Sequence, residues 1–188
     1  MARWVVVVVL SGLAYGLQTP SHASEMRFSA VGDTLMAEGV ISPTSFRQFR
    51  AAHVAHPGTT RVVFDSPGGV VTGAIALGVA IREAGLSAHV APKAQCASAC
   101  VHALAGGIER SVAPGARVSV HRLHGRDSGG RPVELEHERR SRLLGYLTGY
   151  YRDMGVDPAL IALGDEVPPE QERALEPAEI RNFRLATR

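Results

Sequence analysis

From Arg61 to His121 the chain alternates three short apolar runs with two segments of helical spacing, and this order limits the fold more than any other feature. Arg61 to Asp65 (RVVFD) predicts a short strand of the type buried in a parallel sheet. Ser66-Pro67-Gly68-Gly69 turns the chain, and Val70 to Ala84 then places Val71, Ile75, Gly78 and Ile81 at helical spacing before Gly85. Ala88 to Pro92 predicts a second strand, and Ala99 to Ala105 a helix of small residues stopped by Gly106-Gly107. Arg117 to His121 predicts a third strand, with Val118 and Val120 on one face and Ser119 and His121 on the other. Strand, helix, strand, helix, strand implies right-handed crossovers and a mainly parallel sheet with flanking helices, an α/β fold.

The flanks extend this pattern. Arg27 to Ile41 alternates around a Gly32-Asp33 turn and predicts a hairpin. Ser42-Pro43-Thr44 opens a helix whose apolar spacing is Phe46, Phe49 and Ala52/His53, ended by Pro57-Gly58. Gly125 to Pro132 reads as a polar loop, and Glu134 to Met154 as a long helix with Leu143, Leu147, Tyr150 and Met154 on one stripe. Asp157-Pro158 opens a short helix, and Glu176 to Phe183 closes with a last helical turn. Residues 24–188 are enough for a single domain with a sizeable core.

Residues 1–23 have the order of a secretory signal: Arg3, an apolar run from Trp4 to Leu17, then Ser21-His22-Ala23. The expectation is cleavage after Ala23 and a periplasmic or secreted protein; an anchor formed by residues 4–17 is the alternative. The run is short for a span, which needs about 20 residues. A net charge of +2 gives no electrostatic case for nucleic acid, and Arg139-Arg140-Ser141-Arg142 reads as a solvated helix face. Cys96 and Cys100 are the only cysteines. On one helical turn their Cα atoms would stand about 6 Å apart, within bridging range. After export a disulfide is favoured, with two buried thiols as the other reading.

Three features stand where α/β sites form, at strand ends. The two glycines of Ser66-Pro67-Gly68-Gly69 let backbone approach a ligand, although such a turn is commonly only a turn. Ser98, between Cys96-Ala97 and Ala99-Cys100, could simply cap a helix. Its small neighbours would nevertheless admit a substrate carbonyl, and the Ala99 amide would point with the serine oxygen. His121 is one of eight histidines and gains meaning only beside a serine that needs a base.

In combination, SPGG, the small-residue stretch around Ser98 and PGARVSVH resemble the ClpP/crotonase superfamily, in particular exported Clp-protease-subunit-like proteins with cysteines around the serine. The resemblance covers residues 62–125 well, and the interval from Ser98 to His121 is slightly short. It implies a ClpP/crotonase-like fold of repeated β-β-α and βαβ units. It also implies a serine hydrolase, a peptidase, with Ser98 as nucleophile and His121 as base. The amides of Gly69 and Ala99 would form the oxyanion hole, with Gly68 and Val70 contacting substrate. The family's acid falls on the Pro168-Pro169 pair; Asp165 is the nearest candidate, then Glu170, and a dyad helped by a backbone carbonyl is the third option. The implied substrate is a peptide or unfolded segment, with no cofactor or metal. No ATP-driven unfoldase is expected outside the cytosol, and a homo-oligomer is an expectation of the superfamily.

Three rival readings remain at this point. Lys93, the only lysine, could serve a Ser-Lys site of the signal-peptide-peptidase type, although a solvent-facing lysine fits better. Cys96, Cys100, His102, His121 and His124 could form a zinc shell, at a spacing unlike known ligand sets. A non-catalytic binding module on the same fold is the third, because fold alone does not fix function.

Overall fold

A computed structural model describes residues 24–188; the expected signal over residues 1–23 lies outside them. Strands β1 (Arg27–Val31) and β2 (Thr34–Glu38) form the hairpin around Gly32. Helix α1 (Ser45–Ala55), β3 (Arg61–Asp65), α2 (Val71–Glu83) and β4 (Ser87–Val90) follow at the expected places. β5 (Gln95–Ala97), α3 (Cys100–Ala105), β6 (Arg110–Val112) and β7 (Arg117–Val120) complete the central part. Then come a small hairpin, β8 (Gly125–Arg126) and β9 (Pro132–Val133), and the long helix α4 (His137–Met154). The chain closes with α5 (Ala159–Asp165), β10 (Arg173–Ala174) and α6 (Pro177–Asn182). Among the described residues, no helix is long and apolar enough to cross a membrane.

The main sheet has the order β1-β2-β3-β4-β6, parallel throughout except for the opening hairpin. A second sheet, β10-β7-β5, pairs β5 parallel to β7 and β10 antiparallel to it. Architecture and strand direction are those expected of a mainly parallel α/β fold. One detail differs: β3 is not buried on both faces. Val62 and Phe64 are fully buried while Val63 is only half covered. Leu35, Ala37, Ala88 and Val90 share the buried face. The other face carries a polar row in which the His89 ring bonds to the hydroxyls of Ser111 (2.6 Å) and Ser87 (2.9 Å). Period-two burial therefore holds even in this parallel sheet, because α1, α2 and α3 pack on one side.

The two sheets meet where β3 ends. Ser66 bridges Cys96 in parallel, its N–H donating to the Gln95 carbonyl (2.8 Å) and its own carbonyl accepting from the Ala97 N–H (3.0 Å). The β3 exit therefore becomes a neighbour of the strand that carries the serine loop.

Candidate active site

The glycine turn is stapled from beneath by a serine. The buried Ser66 hydroxyl donates to the Gly39 carbonyl (2.7 Å) and accepts from the Gly68 N–H (3.1 Å). Gly68 and Gly69 then take φ of +97° and +143°, conformations that cost any residue with a Cβ. A Cβ on Gly69 would run into the Ile41 carbonyl, against which the turn is paired through Ile41 N–H to Gly68 carbonyl (2.8 Å) and Val70 N–H to Ile41 carbonyl (2.9 Å). A Cβ on Gly68 would stand 2.9 Å from the Ser98 Cβ and 3.0 Å from the Ala99 nitrogen. The turn thus lies directly on the Ser98 loop.

Ser98 sits between β5 and α3 with φ +53°, one of three non-glycine residues at positive φ among those described. Its N–H donates to the Ser119 carbonyl on β7 (2.8 Å), which fixes the loop to the strand leading to His121. Cys96 ends up in β5 and Cys100 opens α3; they are joined by a disulfide with Cα atoms 5.1 Å apart, so the bridge spans the serine. Disulfide sulfurs are not thiolates, which removes both cysteines from the zinc shell considered above. The amide N–H groups of Gly69 and Ala99 donate to no group among the described residues.

A cleft of about 800 Å³ brings together Gly68, Gly69, Val70, Ser98, His121 and Asp165. His121 follows β7 directly. Its Nδ1 lies 2.8 Å from the Arg122 carbonyl, an acceptor only, so Nδ1 carries the proton and Nε2 is left with its lone pair. Arg122 is itself anchored, its N–H to the Val167 carbonyl (2.9 Å) and its Nε to the Asp165 carbonyl (2.8 Å). The Ser98 hydroxyl makes no hydrogen bond to the His121 ring. The Asp165 carboxylate pairs with Arg140 and not with His121. Arg140 is accordingly half-buried in an ion pair and not part of a solvated face. Glu170 lines the cleft and makes no hydrogen bond to His121. Lys93 lies outside the cleft, exposed in the turn before β5 at φ +67°.

Two further groups stand out: Glu172, which was not singled out from the sequence, and His102, which was named there only as a possible zinc ligand. Glu172 accepts from the buried Ser119 hydroxyl (2.9 Å) and from Arg117 (3.3 Å), tying β7 to the segment before β10. His102 lines the cleft with its Nδ1 2.8 Å from the buried Tyr151 hydroxyl. Its position four residues beyond Ser98, one helical turn, was the available signal. His124 stacks loosely beside His121, ring centres 5.0 Å apart, and burial holds its pKa below the ordinary histidine range. Leu144, Leu147, Leu160 and Ile161 make much of the remaining wall apolar.

No family model matches the chain, and no curated protein matches it. Solved structures do. A serine-to-alanine variant of the 1510-N membrane-bound stomatin-specific protease superposes with a TM-score of 0.60 at 17% identity, covering 79% of this chain and 73% of that one. A lysine-to-alanine variant of the same protease, in complex with a substrate peptide, gives a TM-score of 0.61 at 16% identity, covering 82% and 71%. At these identities the likeness is one of fold: the chain shares the mainly parallel α/β architecture of that protease.

Proposed function

We propose that the chain is an exported serine hydrolase that cleaves peptides, with Ser98 as nucleophile, His121 as base and the Gly69 and Ala99 amides as oxyanion hole. The observation that carries this reading is the packing of the Gly68-Gly69 turn directly on a serine held at φ +53°, in one cleft with His121. A residue held in that region persists only where its surroundings impose it, and such residues cluster at active sites. Two amides without acceptors beside that serine match what a developing oxyanion requires, each such donor being worth about 3 kcal/mol of barrier. With Nδ1 donating to the Arg122 carbonyl, Nε2 of His121 is the basic nitrogen, and rotation of the Ser98 side chain would engage it. The Arg122 carbonyl takes the orienting place of an acid, which leaves Asp165 to its ion pair with Arg140. Peptide as substrate class agrees with the protease neighbours, one of them holding a substrate peptide. The sole lysine lies outside the cleft, so histidine and not lysine serves as base here.

Labelling of the purified protein with a fluorophosphonate probe tests the reading. The adduct should map to Ser98, and Ser98→Ala should abolish it. His121→Ala should slow it by at least about a thousandfold. An inert Ser98 in the folded protein would favour the second reading, a binding module on the same fold. That reading draws on the open Ser98–His121 geometry. Export follows from residues 1–23, and N-terminal sequencing of the mature protein should begin at Ser24. A sequence starting at Met1 on membrane-bound protein would indicate an anchor instead.

A further inference from the structure

Below Ser98 the cleft extends between α3 and α4, and this recess combines apolar walls with one polar group. Leu144, Leu147 and Tyr151 lie on the same face of α4, the first two lining the cleft as apolar wall. His102 faces them from α3, one turn beyond Ser98. Its backbone is fixed by the Tyr150 hydroxyl, which donates to the His102 carbonyl (2.7 Å). Its ring is fixed by Tyr151, whose hydroxyl lies 2.8 Å from Nδ1.

That last contact favours one tautomer. Tyr151 is buried, and its hydroxyl has no other partner among the described residues, so its proton goes to the His102 ring. Nδ1 is then the acceptor and Nε2 carries a hydrogen. Nε2 has no partner among the described residues, and the residue opens onto the cleft. Burial, and then the positive charge that His121 can carry, push the His102 pKa down to about 4, so the ring is uncharged near neutrality. The recess therefore offers one neutral, preoriented donor at the end of an apolar channel.

We propose that His102 is a specificity-determining residue, donating from Nε2 to a neutral carbonyl at the end of a substrate side chain, so that this recess takes a glutamine-type side chain over a purely aliphatic one. The proposal rests on the reading of the cleft as a peptide site. An aliphatic occupant would fill the walls but strip water from the donor without replacing its bond, a cost that sites of this kind use to discriminate. A carboxylate gains no ionic partner from an uncharged ring and loses its hydration.

The test is binding to the Ser98→Ala protein, followed by NMR titration with acetylated tetrapeptide amides that differ only in a last residue of glutamine, leucine or glutamate. Glutamine should bind about tenfold more tightly than either of the others. His102→Leu should erase or reverse that order. Tyr151→Phe, which keeps the ring's shape and frees Nδ1 to hold the proton, should shrink the preference and covers the case in which His102→Leu fails to fold. Equal affinities, a leucine preference, or a glutamine preference that survives both variants would overturn the assignment. Fluorophosphonate labelling of the unaltered protein separates the two claims. Labelling without a glutamine preference removes the role of His102 and leaves the hydrolase; a glutamine preference without labelling does the reverse.

Discussion

Ser98 is held where only glycine is at ease, and its neighbours account for the conformation. Its N–H is bonded to Ser119, the Gly68 turn lies so close that a Cβ there would stand 2.9 Å from its own, and the flanking cysteines are joined. For a residue with a Cβ, the left-handed region costs roughly 1–2 kcal/mol. Ser98→Gly should therefore be more stable than Ser98→Ala by about 1 kcal/mol, although both lose the hydroxyl. Equilibrium unfolding in urea of the two variants makes the comparison. Equal midpoints would mean that the loop relaxes in solution and that the serine is not strained. His121 shows the opposite arrangement: its ring is held by the adjoining Arg122 carbonyl (2.8 Å) with no backbone strain of its own.

At the scale of elements, the disulfide joins the last part of β5 to the first residue of α3 around the serine. The closed loop is short, so chain entropy alone gives the bridge about 2 kcal/mol. Its larger effect should be local. The double variant Cys96→Ala/Cys100→Ala should lose about that much stability and label at Ser98 disproportionately slowly, read by unfolding and probe kinetics side by side. Unchanged labelling would make the bridge a staple for the fold and not for the serine. These elements also show where sequence reading reached and where it stopped. Gly69, Ser98 and His121 were singled out only in combination, through the resemblance carried by SPGG, the small-residue stretch and PGARVSVH, because each taken alone has a purely structural reading. β5 was not legible: Gln95-Cys96-Ala97 has no β-branched residue and is a strand only because Ser66 and β7 pair with it on either side. β10 has two residues and exists for the same reason. Asp165 was ranked by sequence distance, but the acid's direction depends on Arg140, which the sequence placed on a solvated face.

Across the whole molecule, the tail is fastened to the core by one buried arginine, and that clasp joins parts of the chain far apart in sequence. Arg110 opens β6 at the edge of the main sheet and is 3% exposed. Its Nε donates to the Leu185 carbonyl (2.9 Å) and its Nη2 to the Arg184 carbonyl (2.9 Å). Nη1 reaches the Gly107 (3.0 Å) and Met154 (3.1 Å) carbonyls, the latter at the end of α4. Burial, with Arg82 nearby, lowers its pKa to about 10, which leaves it charged under ordinary conditions. Among the described residues no carboxylate pairs with it; its N–H groups are taken up by backbone carbonyls. Removing the guanidinium takes the donor from the Leu185, Arg184 and Gly107 carbonyls together, while the Met154 carbonyl keeps Arg82 (3.2 Å), so Arg110→Ala should cost about 3 kcal/mol. For a chain of this length, that lowers Tm by roughly 10 °C. Arg50→Ala is the control, since its pair with Glu83 is 60% and 58% exposed and should shift stability by at most about 0.5 kcal/mol. Thermal unfolding followed by circular dichroism compares the two. If Arg110→Ala melts with the control, the tail is held by its backbone bonds, Asp157 N–H to the Phe183 carbonyl (2.8 Å) and Thr187 N–H to the Arg110 carbonyl (2.9 Å), with the apolar contacts of Ile180 and Leu185, and the guanidinium is a passenger in the core.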